Sequence, residues 1–296
     1  MMRSLALLMV VVAPQLGQEP RPIADHVLII GIDGLGSQGL RHARAPAIRQ
    51  LMAAGASTLA ARAVMPTVSS PNWASMIMGA GPEQHGVTSN DWQPDKFDFP
   101  PTVFGTGKIF PTMFGELHKQ RPRASIGVFH DWDGFGRLLE RDAASALVDG
   151  DGPVNTVDRA VAFIRERRPA LVFVHMDHVD LAGHDHGWLS EPYMSAIEEA
   201  DRLVGRLLSA LDETGQRSRS VIMLSADHGG VGTRHGGLTP AEIEIPWIIN
   251  GPSVRPGHSI RVPVDTTDTA PTVMYVLGAA PHAAWTGRVI LDAFDQ

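Results

Sequence analysis

The 296-residue chain contains no cysteine. That absence excludes disulfides, thiolate metal sites and a cysteine nucleophile in one step. Basic residues are in the minority, 25 Lys and Arg against 32 Asp and Glu, for a net charge of −7. No basic stripe stands out, which argues against a nucleic-acid-binding face. Beyond the N-terminus no segment is long and apolar enough to span a bilayer. No internal repeat, linker or low-complexity block divides the chain. What is present is an ordinary globular composition, 44% hydrophobic and 19% charged, long enough for a substantial core. Thirteen histidines accompany the aspartates, so any metal site uses nitrogen and oxygen ligands.

The N-terminus reads as an export signal: Arg3, then the apolar stretch Leu5–Ala13, then a polar exit over Pro14–Pro22. The apolar stretch is too short for a stable membrane anchor. A cut near Gly17 or Gln18 would leave residues 19–296 as a single domain, periplasmic or secreted.

The apolar runs His26–Ile32, Leu171–His175 and Val221–Leu224 read as strands buried on both faces. Thr58–Met65, Ser125–His130 and Pro246–Asn250 are further strand candidates. Helical spacing marks Pro46–Ala54, Pro111–Lys119, Val154–Arg168, Tyr193–Leu211 and Asp265–Leu277. Ser70 suits an N-cap and Pro71 a first helical position, predicting a helix to about Met78. Ser69 then sits just before a helix N-terminus, where free N–H groups favour an anion. Gly79–Asp91 is a turn-rich loop, residues 92–112 are a long loop or small lid, and Asp131–Gly134 could line a pocket. Strands alternating with helices predict a three-layer α/β/α sandwich with a mainly parallel central sheet.

In such sheets ligands sit beyond the carboxyl ends of the strands. Three buried runs finish there in metal-binding residue types: Asp33; Asp180 and His184 in a D-x-x-G-H spacing; and Asp227-His228. His235 follows seven residues after His228. Six such ligands and a hydroxyl are enough for two metal ions, the arrangement suited to phosphoryl transfer, with a metal-held serine as nucleophile.

In order along the chain these motifs are Asp33-Gly34, the hydroxyl Ser69 before Pro71-Asn72, D-x-x-G-H, D-H-G and a closing His235-Gly236. The set resembles the alkaline phosphatase superfamily, and within it the type I phosphodiesterase/nucleotide pyrophosphatase branch, over about Asp25 to Gly287. The resemblance implies an alkaline-phosphatase-like fold and one metal held by Asp33, Ser69, Asp227 and His228. It implies a second metal held by Asp180, His184 and His235, both metals being zinc. It also implies that Asn72 donates to the phosphoryl group beside the Ser70 N–H. Two departures are visible. Ser69 and Ser70 stand where the branch usually has Thr and Phe, and His235 lies close to His228, with His258 as the fallback. His175, His178 and His186 lie outside the pattern and read as structural or supporting residues.

The expected function is hydrolysis of a small phosphate ester, most readily a phosphodiester or pyrophosphate. Trp73 and Trp92 near the nucleophile suggest an aromatic pocket, which favours a diester; Arg234 or Lys108 folding in would favour a phosphomonoester instead. A sulfatase would need an arginine that Ser69-Ser70-Pro71-Asn72 lacks, and a phosphoglycerate mutase would need a large inserted domain. A non-enzymatic metal-binding protein is the alternative of a different class.

Overall fold

The structure is a computed structural model and describes residues 21–295; the expected export signal, residues 1–18, falls outside the described residues. Among the described residues eight strands follow in chain order: β1 (His26–Ile32), β2 (Ala56–Arg62), β3 (Ile126–His130), β4 (Ala146–Asp149), β5 (Leu171–Met176), β6 (Ser220–Ser225), β7 (Glu244–Asn250) and β8 (His258–Ser259). They form one sheet in the order β4-β3-β5-β1-β6-β7-β2-β8. β1 pairs in parallel with β5 and β6, and β3 pairs in parallel with β4 and β5, while β7 runs antiparallel to both β6 and β2. The expected layered α/β fold with a mainly parallel sheet is therefore the observed one.

The three near-continuous apolar runs are the three central strands, buried along almost their whole length, because helices cover both faces. On one face Ser37–His42, Pro46–Ala53 and Pro153–Arg167 pack against the long helix Glu191–Glu213. On the other, the helices Ser69–Met78, Met113–Gln120 and Thr269–Val276 pack together. There Trp73, Phe114, Phe135 and Phe173 form an aromatic cluster between helix and sheet, with Phe135 and Phe173 ring centroids 4.9 Å apart.

Register decides where the chemistry lies. Ile32 is level with Met176 and Gly31 with Ser225, and the Asp33 N–H donates to the Met176 carbonyl at 2.9 Å. The segments beginning at Asp33, Asp177 and Ala226 thus leave the sheet side by side at its carboxyl edge.

Several local expectations differ from the structure. β2 starts two residues before Thr58 and ends at Arg62, and β4 and β8 are additional. The helix expected to start with Ser70 as cap includes Ser69 and has Val68 as its N-cap; Pro71 fits within the first turn because N–H groups there have no partner inside the helix. The Asp/His cluster is itself a helix, His178–His186. Asp265–Leu277 divides into a 3-10 turn, Thr266–Asp268, and the helix Thr269–Val276. Residues 92–112 are irregular apart from a bridge between Gln93 and Lys96 and one 3-10 turn at Thr106–Lys108. That segment is anchored by buried Trp92, Ile109 and Phe110. Among the described residues no helix is long and apolar enough to cross a membrane.

Truncating Phe173 to Ala should destabilise the fold by about 3–5 kcal/mol, since it empties the centre of the aromatic cluster. The control Leu238→Ala, at a side chain 68% exposed, should change it by less than about 0.5 kcal/mol. Urea unfolding followed by tryptophan fluorescence measures both.

Candidate active site

β1 hands over to Asp33 and Gly34, and Gly34 adopts φ +68°, a left-handed conformation that favours glycine. A Cβ there would lie 2.8 Å from Asp180 Cα, Cβ and Oδ1. The Gly34 N–H donates to Asp227 Oδ1 at 3.0 Å. Its carbonyl accepts from Trp188 Nε1 at 2.9 Å and from the Tyr193 hydroxyl at 2.8 Å. One residue therefore ties the β1 end to the segments following β5 and β6.

Around it, six of the predicted ligand side chains converge. Asp33, Asp227 and His228 present one ligand atom each within 4.8 Å of one another, and so do Asp180, His228 and His235. His184 joins the second set, with Nε2 3.3 Å from Asp180 Oδ2 and 3.1 Å from His235 Nε2. Asp180 and His184 are four apart on the helix His178–His186, so they share a face. A tight turn at Val231–Arg234 brings His235 back until its ring stacks on His228 with centroids 3.8 Å apart. The Ser69 hydroxyl lies 3.3 Å from His228 Nε2 at the start of its helix.

The donor set suits divalent cations. Asp33 Oδ1, Asp180 Oδ1 and Asp227 Oδ2 are buried without a hydrogen-bond partner, which is costly for carboxylates unless a cation faces them. Three imidazoles are turned the same way: Nδ1 of His184, His228 and His235 donates to the carbonyls of Thr233, Gly229 and Thr67, at 3.0, 2.9 and 2.8 Å. That leaves each Nε2 facing the carboxylates, the tautomer that metal binding requires. Burial, reinforced by Asp227, pushes the Asp33 carboxyl up to about 7, and burial with Asp180 nearby pushes Asp227 to about 7. Burial also acts on Asp180, but its hydrogen bond to His184 and the surrounding imidazoles hold it below the usual carboxylate range. The same hydrogen bond holds His184 up at about 9, while burial takes His235 down to about 4.

Asn72 does not take the place expected of it. Its Oδ1 accepts from the Val64 N–H at 2.7 Å, and its Nδ2 donates to the carbonyls of Val64, Pro66 and Val68. Both ends of the amide are thus spent on tying down the segment that leads into the helix, and Asn72 is fully buried. The side chain beside the start of this helix is Asn90 instead, whose Oδ1 accepts the Ser70 N–H at 2.8 Å.

The family model for type I phosphodiesterase/nucleotide pyrophosphatase matches residues 27–239. The chain belongs to this family. Ectonucleotide pyrophosphatase/phosphodiesterase family member 1 of Mus musculus is 25% identical over 214 residues, covering 68% of this chain and 24% of that protein. Arylsulfatase K of Danio rerio is 26% identical over 109 residues, 35% of this chain and 21% of that protein. The chain spans about a quarter of the length of these curated relatives or less. Among solved structures, inactive murine ectonucleotide pyrophosphatase/phosphodiesterase 5 in complex with AMP superposes with a TM-score of 0.76 at 15% identity, over 92% of this chain and all of that one. A 2-O GAG sulfatase gives 0.72 at 17% identity, over 90% of this chain and 73% of that one. The fold is alkaline-phosphatase-like.

Within this family member the remaining candidates separate by position. His175 is buried behind Asp33, with Nε2 3.1 Å from Asp33 Oδ2, and its bonds to Asp131 and Asp33 outweigh burial and raise it to about 10. His178 lies against the Ala196 carbonyl at 3.1 Å, and His186 is exposed. His258 pairs with Asp292 at 3.2 Å on the sheet edge, away from the cluster. Arg234 and Lys108 are exposed. Trp73 is no pocket wall: it is fully buried and donates to Asp33 Oδ2 at 2.9 Å. Asp131 turns inward, accepting the Asp177 N–H at 2.7 Å. Sequence reasoning missed Asn90 because nothing about an Asn in a turn-rich loop distinguishes it until the loop folds back onto Ser70.

Protons and any divalent cation entering this site would compete for the same carboxylate oxygens. Below pH 7 Asp33 and Asp227 carry protons that must leave, so zinc affinity should fall as pH falls, about ten-fold per unit for each proton displaced. Calorimetric titration in buffers of different ionisation enthalpy counts those protons; an affinity unchanged between about pH 5 and 7 would contradict the competition.

Proposed function

We propose that the protein is a two-cation hydrolase of small phosphate esters that prefers diesters, with Ser69 as nucleophile. The observation that carries this reading is Ser69 Oγ at a helix N-terminus, 3.3 Å from Nε2 of His228, the residue common to both ligand groups. In this reading Asp33, Ser69, Asp227 and His228 hold one cation, and Asp180, His184 and His235 hold the other. The all-N/O ligand set, rich in imidazole, favours zinc. Two such cations supply Lewis-acid polarisation and neutralise charge developing on the phosphoryl group.

The chain's own groups do the rest. Ser69 Oγ forms a bond to phosphorus while the bond from phosphorus to the leaving oxygen breaks; the hydroxyl proton ends on that oxygen, so the alcohol departs and the phosphoryl group stays on Ser69. Water then attacks phosphorus and the bond to Oγ breaks; the water oxygen stays on the released phosphate and one of its protons passes to Ser69 Oγ. The helix N-terminus favours the anionic oxygens in both steps. The donor role expected of Asn72 passes to Asn90 and the Ser70 N–H, which an entering phosphoryl oxygen would share.

Family membership supports the diester preference, and the AMP complex of the murine structural neighbour makes nucleotides the first compounds to try. One observation favours a phosphomonoester instead: Arg137 Nη2 donates to the Asn90 carbonyl at 2.8 Å, placing a guanidinium beside the residue that touches Ser70. A cation there could cover the extra charge of a monoester.

Zinc-loaded protein should cleave bis-p-nitrophenyl phosphate faster than p-nitrophenyl phosphate or p-nitrophenyl sulfate. Ser69→Ala should lower kcat by at least about a thousand-fold and still bind metal. Faster monoester or sulfate cleavage would move the protein to that chemistry, and no turnover with both cations bound would favour a binding role.

The two asparagines should part company. Asn90→Ala should lower kcat by about 100- to 1,000-fold with little change in Tm. Asn72→Ala should cost about 1–3 kcal/mol of stability by orphaning buried backbone groups.

A further inference from the structure

We infer that Trp73 and His175 are positioning residues that orient Asp33, leaving one defined oxygen to a cation. The inference rests on the proposed role of Asp33 as a ligand. The two oxygens of this buried carboxylate are treated unequally. Oδ2 lies 2.9 Å from Trp73 Nε1, which donates to it, and 3.1 Å from His175 Nε2. Oδ1 has no hydrogen-bond partner and lies 3.6 Å from His228 Nε2. A carboxylate oxygen offers two lone-pair sites. With both donors engaged Oδ2 is saturated, and Asp33 can meet a cation only through Oδ1.

Both donors are themselves held. The Trp73 ring lies against β1 at Gly31, where a Cβ would come within 2.7 Å of the indole, so only glycine lets the indole reach Asp33. The fully buried His175 ring packs against Trp73 and Phe135, with centroids 4.8 and 5.1 Å away. Its Nδ1 lies 3.4 Å from Asp131 Oδ1, which is tied to the Asp177 N–H. The chain of contacts runs from the end of β3 through β5 to the end of β1, so the strands themselves set the angle of the carboxylate.

His175 also lies within ligand distance of Asp33 and Asp177, so an alternative role as a direct ligand has to be separated. Zinc titration of the full-length protein against a chelator does so, with Tm recorded for every variant. Trp73→Phe keeps an aromatic ring and removes only the N–H; it should weaken one of the two zinc affinities about 10- to 100-fold and leave the other unchanged. His175→Phe should do the same. His175→Gln should recover much of the loss, because its amide can still donate to Asp33. A purely packing role predicts the opposite order, with Phe tolerated and Gln not, and would overturn the inference. Loss of a whole zinc equivalent in His175→Gln, with Trp73→Phe unaffected, would overturn it in favour of direct ligation. Wild-type affinities in Trp73→Phe and His175→Phe would also overturn it. A wild-type protein that binds no zinc would instead overturn the cation reading on which it rests.

Discussion

Asp33, Asp180 and Asp227 are gathered in the interior at the carboxyl edge of the sheet, and like charges so placed repel one another strongly. Much of the surrounding structure offsets that cost. The Gly34 N–H and the Trp73 indole each take one carboxylate lone pair, and His184 takes another on Asp180. The oxygens left over share a small volume with three imidazole nitrogens whose outer nitrogens are fixed by backbone carbonyls. Such a constellation is poorly balanced as protein alone and well balanced around positive charge.

The fold supplies this concentration through strand order. Because β1 lies between β5 and β6, three parallel strands deliver their following segments to one place. A helix and a tight turn then add to two of these segments: His184 lies one helical turn beyond Asp180, and the Val231–Arg234 turn brings His235 back beside His228. Ser69 arrives from the opposite helical layer, on an element whose N-terminus is kept in place by the Asn72 amide. Stability and chemistry meet in that helix, since its Trp73 lies both in the aromatic core and on Asp33.

Much of this is legible in the residues alone. The central strands announce themselves because burial on both faces demands uninterrupted apolar runs. The ligand candidates do so because Asp and His follow three such runs in one order along the chain, where any single pair would say little. The short strands β4 and β8 carry no comparable pattern, being half exposed at the sheet edges. Asn72 and Asn90 show a different limit. Adjacency to Pro71 makes Asn72 look like part of the reacting group, yet its amide is consumed by three backbone carbonyls. Asn90, twenty-one residues from Ser69 in the chain, reaches Ser70 only through the path of a loop that no periodicity encodes. Trp73 likewise reads as a pocket aromatic, but its ring is fully buried against the sheet and its N–H is given to Asp33.

Gly34 carries a consequence of another kind. Its missing side chain is what lets Asp180 close onto the end of β1, so the separation of the two ligand groups is set by an atom that is not there. A chain of this family could keep every aspartate, histidine and serine of the site and still be silent if that one position gained a methyl group. Surveys that score relatives by their polar residues alone would count such a chain as intact.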